Sequence, residues 1–208
     1  WIHTVASTAG GEIPVLDVIF PQLMTILAFK RTIEIDTGPF KFKEDLGLPL
    51  RKATLTCLDM MMASIPDDLN ITALIPGVMM NIGDELKVKK DHNFNDLKIH
   101  AMQMVVKLAA FAPGPLVGFV EASLEVLKKS LEEAIKDTAT PTDKERALDL
   151  KRACLNVVLA YSGMEGVQGS PVFKDFHDKI QNLPFVPELL REVSSGERAW
   201  GGGGGGGE

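Results

Sequence analysis

The amino-acid sequence predicts an all-α chain of stacked helix pairs, interrupted by one β-hairpin at about residues 30–45. Three observations carry that expectation. Apolar residues recur at helical spacing through most of the chain. Aromatic residues make up only 6% of the 208 positions, so Leu, Ile, Val, Met and Ala must fill the core, which suits helix packing better than a β-sandwich. Residues 30–45 depart from the helical pattern and alternate with a period of two. With 45% apolar and 24% charged residues, the composition is that of an ordinary globular protein, and the chain is long enough to bury a core.

The helices are read in order. Pro14 to Phe29 places Val15, Ile19, Leu23, Ile26 and Leu27 on one side, with Pro14 in its first turn. Pro21 should kink or split this helix, because it lacks an N–H and its ring crowds the preceding turn. Leu48 to Ser64 follows, opened by Pro49. Ile71 to Leu86 has Asn70 or Thr72 as a cap candidate and Gly77 as a weak spot. Asn95 to Phe111 is ended by Pro113-Gly114-Pro115, and Leu116 to Lys136 comes next. Asp143 to Tyr161 is stopped by Ser162-Gly163, and Val172 to Leu183 and Pro187 to Ser194 close the series. The connectors are short and rich in Gly, Pro and Asp, which favours antiparallel neighbours.

Three of these helices repeat one another. Leu50-Arg51, Leu97-Lys98 and Leu150-Lys151 open them, with Leu55, Met102 and Leu155 four residues after the base and Leu58, Val105 and Val158 seven after it. The bases lie 47 and 53 residues apart, the spacing of helix-pair repeats of the HEAT type, with an insertion near Thr138 to Thr142 stretching the second. A single helix pair cannot bury its apolar stripe, and stacked neighbours make a continuous core. The bases are open to two readings. Arg51, Lys98 and Lys151 form a ladder with Asp45, Asp96 and Asp149, or they are solvated beside helix-start acids.

In the hairpin, Ile33 and Ile35 alternate with Thr32, Glu34 and Asp36, and Phe40 and Phe42 alternate with Lys41 and Lys43. A Thr37-Gly38 turn would require proline to donate the closing hydrogen bond, so a Gly38-Pro39 turn is favoured, with Gly38 supplying positive φ. That register pairs Thr37 with Phe40, Asp36 with Lys41, Ile35 with Phe42 and Glu34 with Lys43. One face then carries Ile33, Ile35, Phe40 and Phe42, and the other carries two opposite-charge pairs worth roughly 0.2–1 kcal/mol each. An isolated two-stranded ribbon is marginal in water. Its apolar face either rests on the chain's own helices or projects toward a partner, and projection is the favoured reading.

A search for chemistry returns little. The four histidines form no metal-binding pair, and no nucleophile-elbow, phosphate-loop or dinucleotide-binding glycine pattern occurs, so neither catalysis, a metal nor a cofactor is expected. Asp67-Asp68, Asp84-Glu85 and Glu132-Glu133 read as helix-end or solvated acids. The Met60-Met61-Met62, Met79-Met80, Met102 and Met104 cluster reads as helical core filling, and Lys87, Lys89 and Lys90 as a basic helix end. His100 reads as a packing residue between repeats. Cys57 and Cys154 lie in apolar runs, as buried reduced thiols of a cytosolic or nuclear protein would. A net charge of −6 argues against nucleic acid as main partner. No apolar run approaches the roughly 18 residues of a membrane span, so no membrane contact is expected.

Residues 1–195 are read as one segment of a longer solenoid. The chain opens at Trp1-Ile2-His3 without an initiator methionine, and its Trp1 end is expected to expose an apolar face that a preceding repeat would cover. Residues 196–208, with Gly201 to Gly207, are expected to be a disordered tail.

The quoted motifs carry a family resemblance. Gly38-Pro39-Phe40-Lys41, then Glu44-Asp45-Leu46-Gly47, then Leu50-Arg51-Lys52-Ala53 resemble the C-terminal region of the cullin-associated, neddylation-dissociated proteins, also called the TATA-binding-protein-interacting domain. Asp96-Leu97-Lys98, Leu150-Lys151-Arg152-Ala153, Ser170-Pro171 and Phe176 extend the likeness over roughly Ile13 to Val193. Phe42 stands where that family usually has His, Pro49 where it has an acid or similar residue, and the glycine tail has no counterpart.

The resemblance implies a HEAT-repeat protein that wraps unneddylated cullin scaffolds of RING ubiquitin ligases in cytoplasm and nucleus. It also implies that the hairpin, Ile33, Ile35, Thr37, Gly38, Pro39, Phe40, Lys41, Phe42 and Lys43, occupies the surface of the substrate-receptor adaptor and so promotes receptor exchange. The alternative is a generic HEAT scaffold of the transport or adaptor kind whose hairpin is internal packing.

Overall fold

A computed structural model describes residues 14–36, 38, 41–83 and 92–195. The expectations for the Trp1 end, Thr37, Pro39, Phe40, Asp84-Glu85, the lysines at 87, 89 and 90, and the tail from 196 lie outside the described residues.

Eight α-helices and one two-stranded sheet are described: α1 Pro14–Leu27, β1 Thr32–Asp36, β2 Lys41–Asp45, α2 Leu48–Ser64, α3 Ile71–Ile82, α4 His92–Phe111, α5 Pro113–Glu132, α6 Pro141–Ser162, α7 Pro171–Gln181 and α8 Val186–Ser195. A short 3₁₀ turn, Pro66–Asp68, joins α2 to α3. Consecutive helices pack in pairs: α1 on α2, α3 on α4, α5 on α6 and α7 on α8. Alternate helices stack in two layers, α1, α3, α5, α7 and α2, α4, α6, α8. Among the described residues no helix is long and apolar enough to cross a membrane.

The repeated positions explain the stacking. Leu55 and Leu58 of α2, Met102 and Val105 of α4, and Leu155 and Val158 of α6 are all buried in one continuous core. The methionines divide: Met61, Met102 and Met104 are buried, whereas Met60 and Met80 are exposed. Cys154 is buried with its Sγ 3.7 Å from Met102 Sδ, and Cys57 is half-buried.

Among the described residues, side-chain oxygens start three helices. Asn70 accepts from Ala73 N at 3.0 Å, Thr140 Oγ1 from Asp143 N at 3.1 Å and Ser170 Oγ from Phe173 N at 3.3 Å. Proline follows the last two caps, at a position where no intrahelical N–H is needed. The same rule corrects the expected start of α5. Pro113 and Pro115 open that helix, and do not merely end α4, because a first turn leaves its N–H groups unpaired anyway. Pro21 does not split α1, which runs through it as one helix. At Gly77 an added Cβ would come 2.9 Å from Leu27 Cδ2, so this mid-helix glycine lets α3 approach α1 closely. Asn81 then ties the pair, donating to Leu27 O at 3.2 Å.

The basic ladder is seen at its first rung. Arg51 pairs with Asp45 in the interior. Asp96 instead meets Lys52 of α2 at 3.0 Å, and Asp149 meets Arg152 of its own helix at 2.9 Å. Lys151 turns to the end of α5, donating to the carbonyls of Leu131 and, at 2.9 Å, Glu133. The competing demand is the set of unpaired carbonyls that every helix C-terminus presents.

Candidate partner-binding site

The hairpin stands between α1 and α2 in sequence, and its register is the expected one: Asp36 opposite Lys41, Ile35 opposite Phe42, Glu34 opposite Lys43. The pairing continues through Ile33 opposite Glu44 and Thr32 opposite Asp45. Gly38 has φ of +84°, a conformation that a side chain would strain. Lys41 reaches Asp36 at 3.5 Å and also, diagonally, Glu34 at 3.7 Å. All three groups are more than half exposed, so these contacts hold strand pairing only weakly.

The two strands pack on each other, and among the described residues no helix has extended contact with either. Ile33 and Ile35 are half-buried, and neither belongs to the helical core nor to the residues packed against it. Lys41 and Lys43 are exposed, as is Gly38. Thr37, Pro39 and Phe40 of the candidate set are outside the described residues, and Phe42 is described by its place in β2 alone.

The ribbon is fastened at its base. Asp45, 5% exposed, accepts through Oδ1 from Gly47 N at 2.9 Å and Arg31 N at 3.2 Å, and its Oδ2 pairs with the fully buried Arg51 guanidinium. Leu46 N donates to Arg31 O at 2.9 Å, closing the stem. A Cβ at Gly47 would come 2.4 Å from Phe29 O, so only glycine lets the chain re-enter α2 this close to the end of α1. The sequence marks Asp45 as a ladder acid, but not as the clamp of the ribbon. The signal was present in its position, six residues before a lone Arg at a helix start.

Outside the hairpin, the face of α2, α4 and α6 spends its charges between neighbours. Lys52 meets Asp96 and Lys107 meets Asp59 at 2.5 Å, both joining α2 to α4. Arg152 joins α6 to α8 through Glu192 at 3.0 Å. His100 is half-buried, 3.9 Å from Asp59. Burial lowers its pKa below 6.5, Lys107 and Lys52 act in the same direction, and Asp59 opposes them. Among the described residues, no three His, Cys, Asp or Glu side chains are placed to hold a metal ion.

Comparison with known proteins gives this geometry a family. Residues 13–181 match the family described as TATA-binding protein interacting (TIP20). Cullin-associated NEDD8-dissociated protein 2 of Rattus norvegicus is 28% identical over 180 residues, 86% of this chain and 13% of that protein. Cullin-associated NEDD8-dissociated protein 1 of Drosophila melanogaster is 23% identical over 194 residues, 92% of this chain and 15% of that protein. The protein of that name from Arabidopsis thaliana is 26% identical over 163 residues, 75% of this chain and 13% of its own. The chain thus spans about an eighth to a seventh of the length of the curated relatives it matches. Their names describe association with cullins and no catalysed reaction. With most of its length, hairpin included, inside the matched segment, the chain belongs to the TATA-binding protein interacting domain family.

Proposed function

We propose that the chain is a non-enzymatic cullin-binding segment, built of HEAT-like helix pairs, whose hairpin competes with the substrate-receptor adaptor. It binds the N-terminal region of an unneddylated cullin in cytoplasm and nucleus, and by excluding the adaptor it promotes receptor exchange on RING ubiquitin ligases. The mechanism is steric exclusion with differential affinity. One observation carries the reading: among the described residues, a ribbon with Ile33 and Ile35 on one face has no extended contact with any helix, in a chain whose relatives are named for cullin association. The helix-pair spacing and the two stacked layers support the HEAT-like description.

The test is a displacement assay with an unmodified cullin N-terminal region and its adaptor. Ile33→Ser with Ile35→Ser, and separately Phe40→Ser with Phe42→Ser, should each weaken displacement at least tenfold with the helical circular dichroism unchanged. Normal displacement by both double variants sinks the hairpin role. A fall in thermal stability of the size seen for buried Phe truncation, about 3–5 kcal/mol, would assign the ribbon to internal packing in a generic scaffold instead.

A further inference from the structure

We infer that Asp45 is a positioning residue which fixes the attitude of the hairpin relative to α2, so that the ribbon acts as a stiff arm and not as a tethered flap. The inference rests on the hairpin role proposed above and adds how that element is presented. Among the described residues, neither strand of the ribbon has extended contact with a helix. What remains is its base. There a single carboxylate, its side chain 2% exposed, joins three chain segments. Its Oδ1 holds Arg31 N before β1 and Gly47 N ahead of α2, and its Oδ2 holds the Arg51 guanidinium in the first turns of α2. Charge-assisted hydrogen bonds in a site that excludes water are strong and directional. Arg51 is itself wholly buried, so the anchor on the α2 side cannot swing with solvent. The strand partner of Asp45 is Thr32, which places the clamp on the last rung of the ladder, where a small rotation would be magnified at the tip.

A stiff arm meets its partner without the entropic cost of ordering a loose one. The clamp therefore acts on affinity through orientation, although Asp45 is itself buried away from any partner.

Residual dipolar couplings of backbone amides test this on the 208-residue chain. In the unaltered protein, Glu34 and Lys43 amides should fit the same alignment tensor as amides of α2 and α4. In Asp45→Ala the strand amides should leave that tensor while the helical amides keep it, and displacement of adaptor from the cullin N-terminal region should fall at least tenfold. Where Asp45→Ala fails to fold, Asp45→Asn takes its place, since its one amide oxygen can still accept from Arg31 N and Gly47 N while the ionic bond to Arg51 is lost. It should show the same departure with about a threefold loss. Strand amides that still fit the helical tensor in the folded variant overturn the inference. If Ile33→Ser with Ile35→Ser and Phe40→Ser with Phe42→Ser both displace adaptor normally, the hairpin role fails, and the couplings still decide whether Asp45 orients the ribbon.

Discussion

Lys151 shows how one side chain can be drawn away from its neighbours in sequence. Its ammonium sits 4.4 Å from the centre of the Phe185 ring and satisfies carbonyls at the end of α5. Burial lowers its pKa, partly opposed by Cys154 and Glu133. Lys151→Met should cost about 1–3 kcal/mol, because it strands buried carbonyls while keeping the volume; urea denaturation measures the loss. No sequence pattern could reveal this role, since the partner carbonyls belong to backbone that carries no side-chain signal. The thiols differ in the same physical way. Burial pushes Cys154 up to about 12, so in the folded chain Cys57 should react with a thiol reagent first, as mass spectrometry would show. At His100 the folded pKa lies below 6.5, so just below that pH the unfolded chain binds more protons. Stability should therefore rise with pH through this window and then level off. His100→Gln should reduce the slope relative to the unaltered chain in urea midpoints taken at about pH 5 and about pH 7; an equal slope would count against it.

At the scale of the element, the hairpin was the most legible feature and its fastening the least. Period-two alternation and the missing proline N–H set a register that holds residue for residue from Asp36–Lys41 to Glu34–Lys43. The limits of α2 were equally plain, because Pro49 marks its first turn. The start of α5 is ambiguous in sequence because proline signals both the end of one helix and the beginning of the next. Close approach was invisible at Gly47, since nothing in the sequence tells that Phe29 O lies within 2.4 Å of a new Cβ. Gly47→Ala should thus displace the stem and destabilise the chain by about 1–3 kcal/mol, read as a lower thermal midpoint, although its φ of −78° suits alanine well. An unchanged midpoint would show that the stem yields freely.

At the scale of the molecule, the three-helix repeat predicted a continuous core, and Met102 sits in its middle helix, fully buried beside Cys154. Met102→Ala should cost about 2–5 kcal/mol and still leave one cooperative unfolding transition, because the cavity opens in a core that all the stacked helices share. Two separated transitions would show that the stack divides. The repeat did not foretell which charges cross between helices, since that depends on side-chain reach once the stacking has been built. The stacking itself has a mechanical consequence. Among the described residues, extended contacts join helices no more than two apart, and none joins the first helix to the last. The interfaces act as springs in series, whose compliances add. A load applied at the two ends is carried in full by every junction between successive helix pairs, where the two layers share it, and the softest junction, rather than the average, sets how far the ends move.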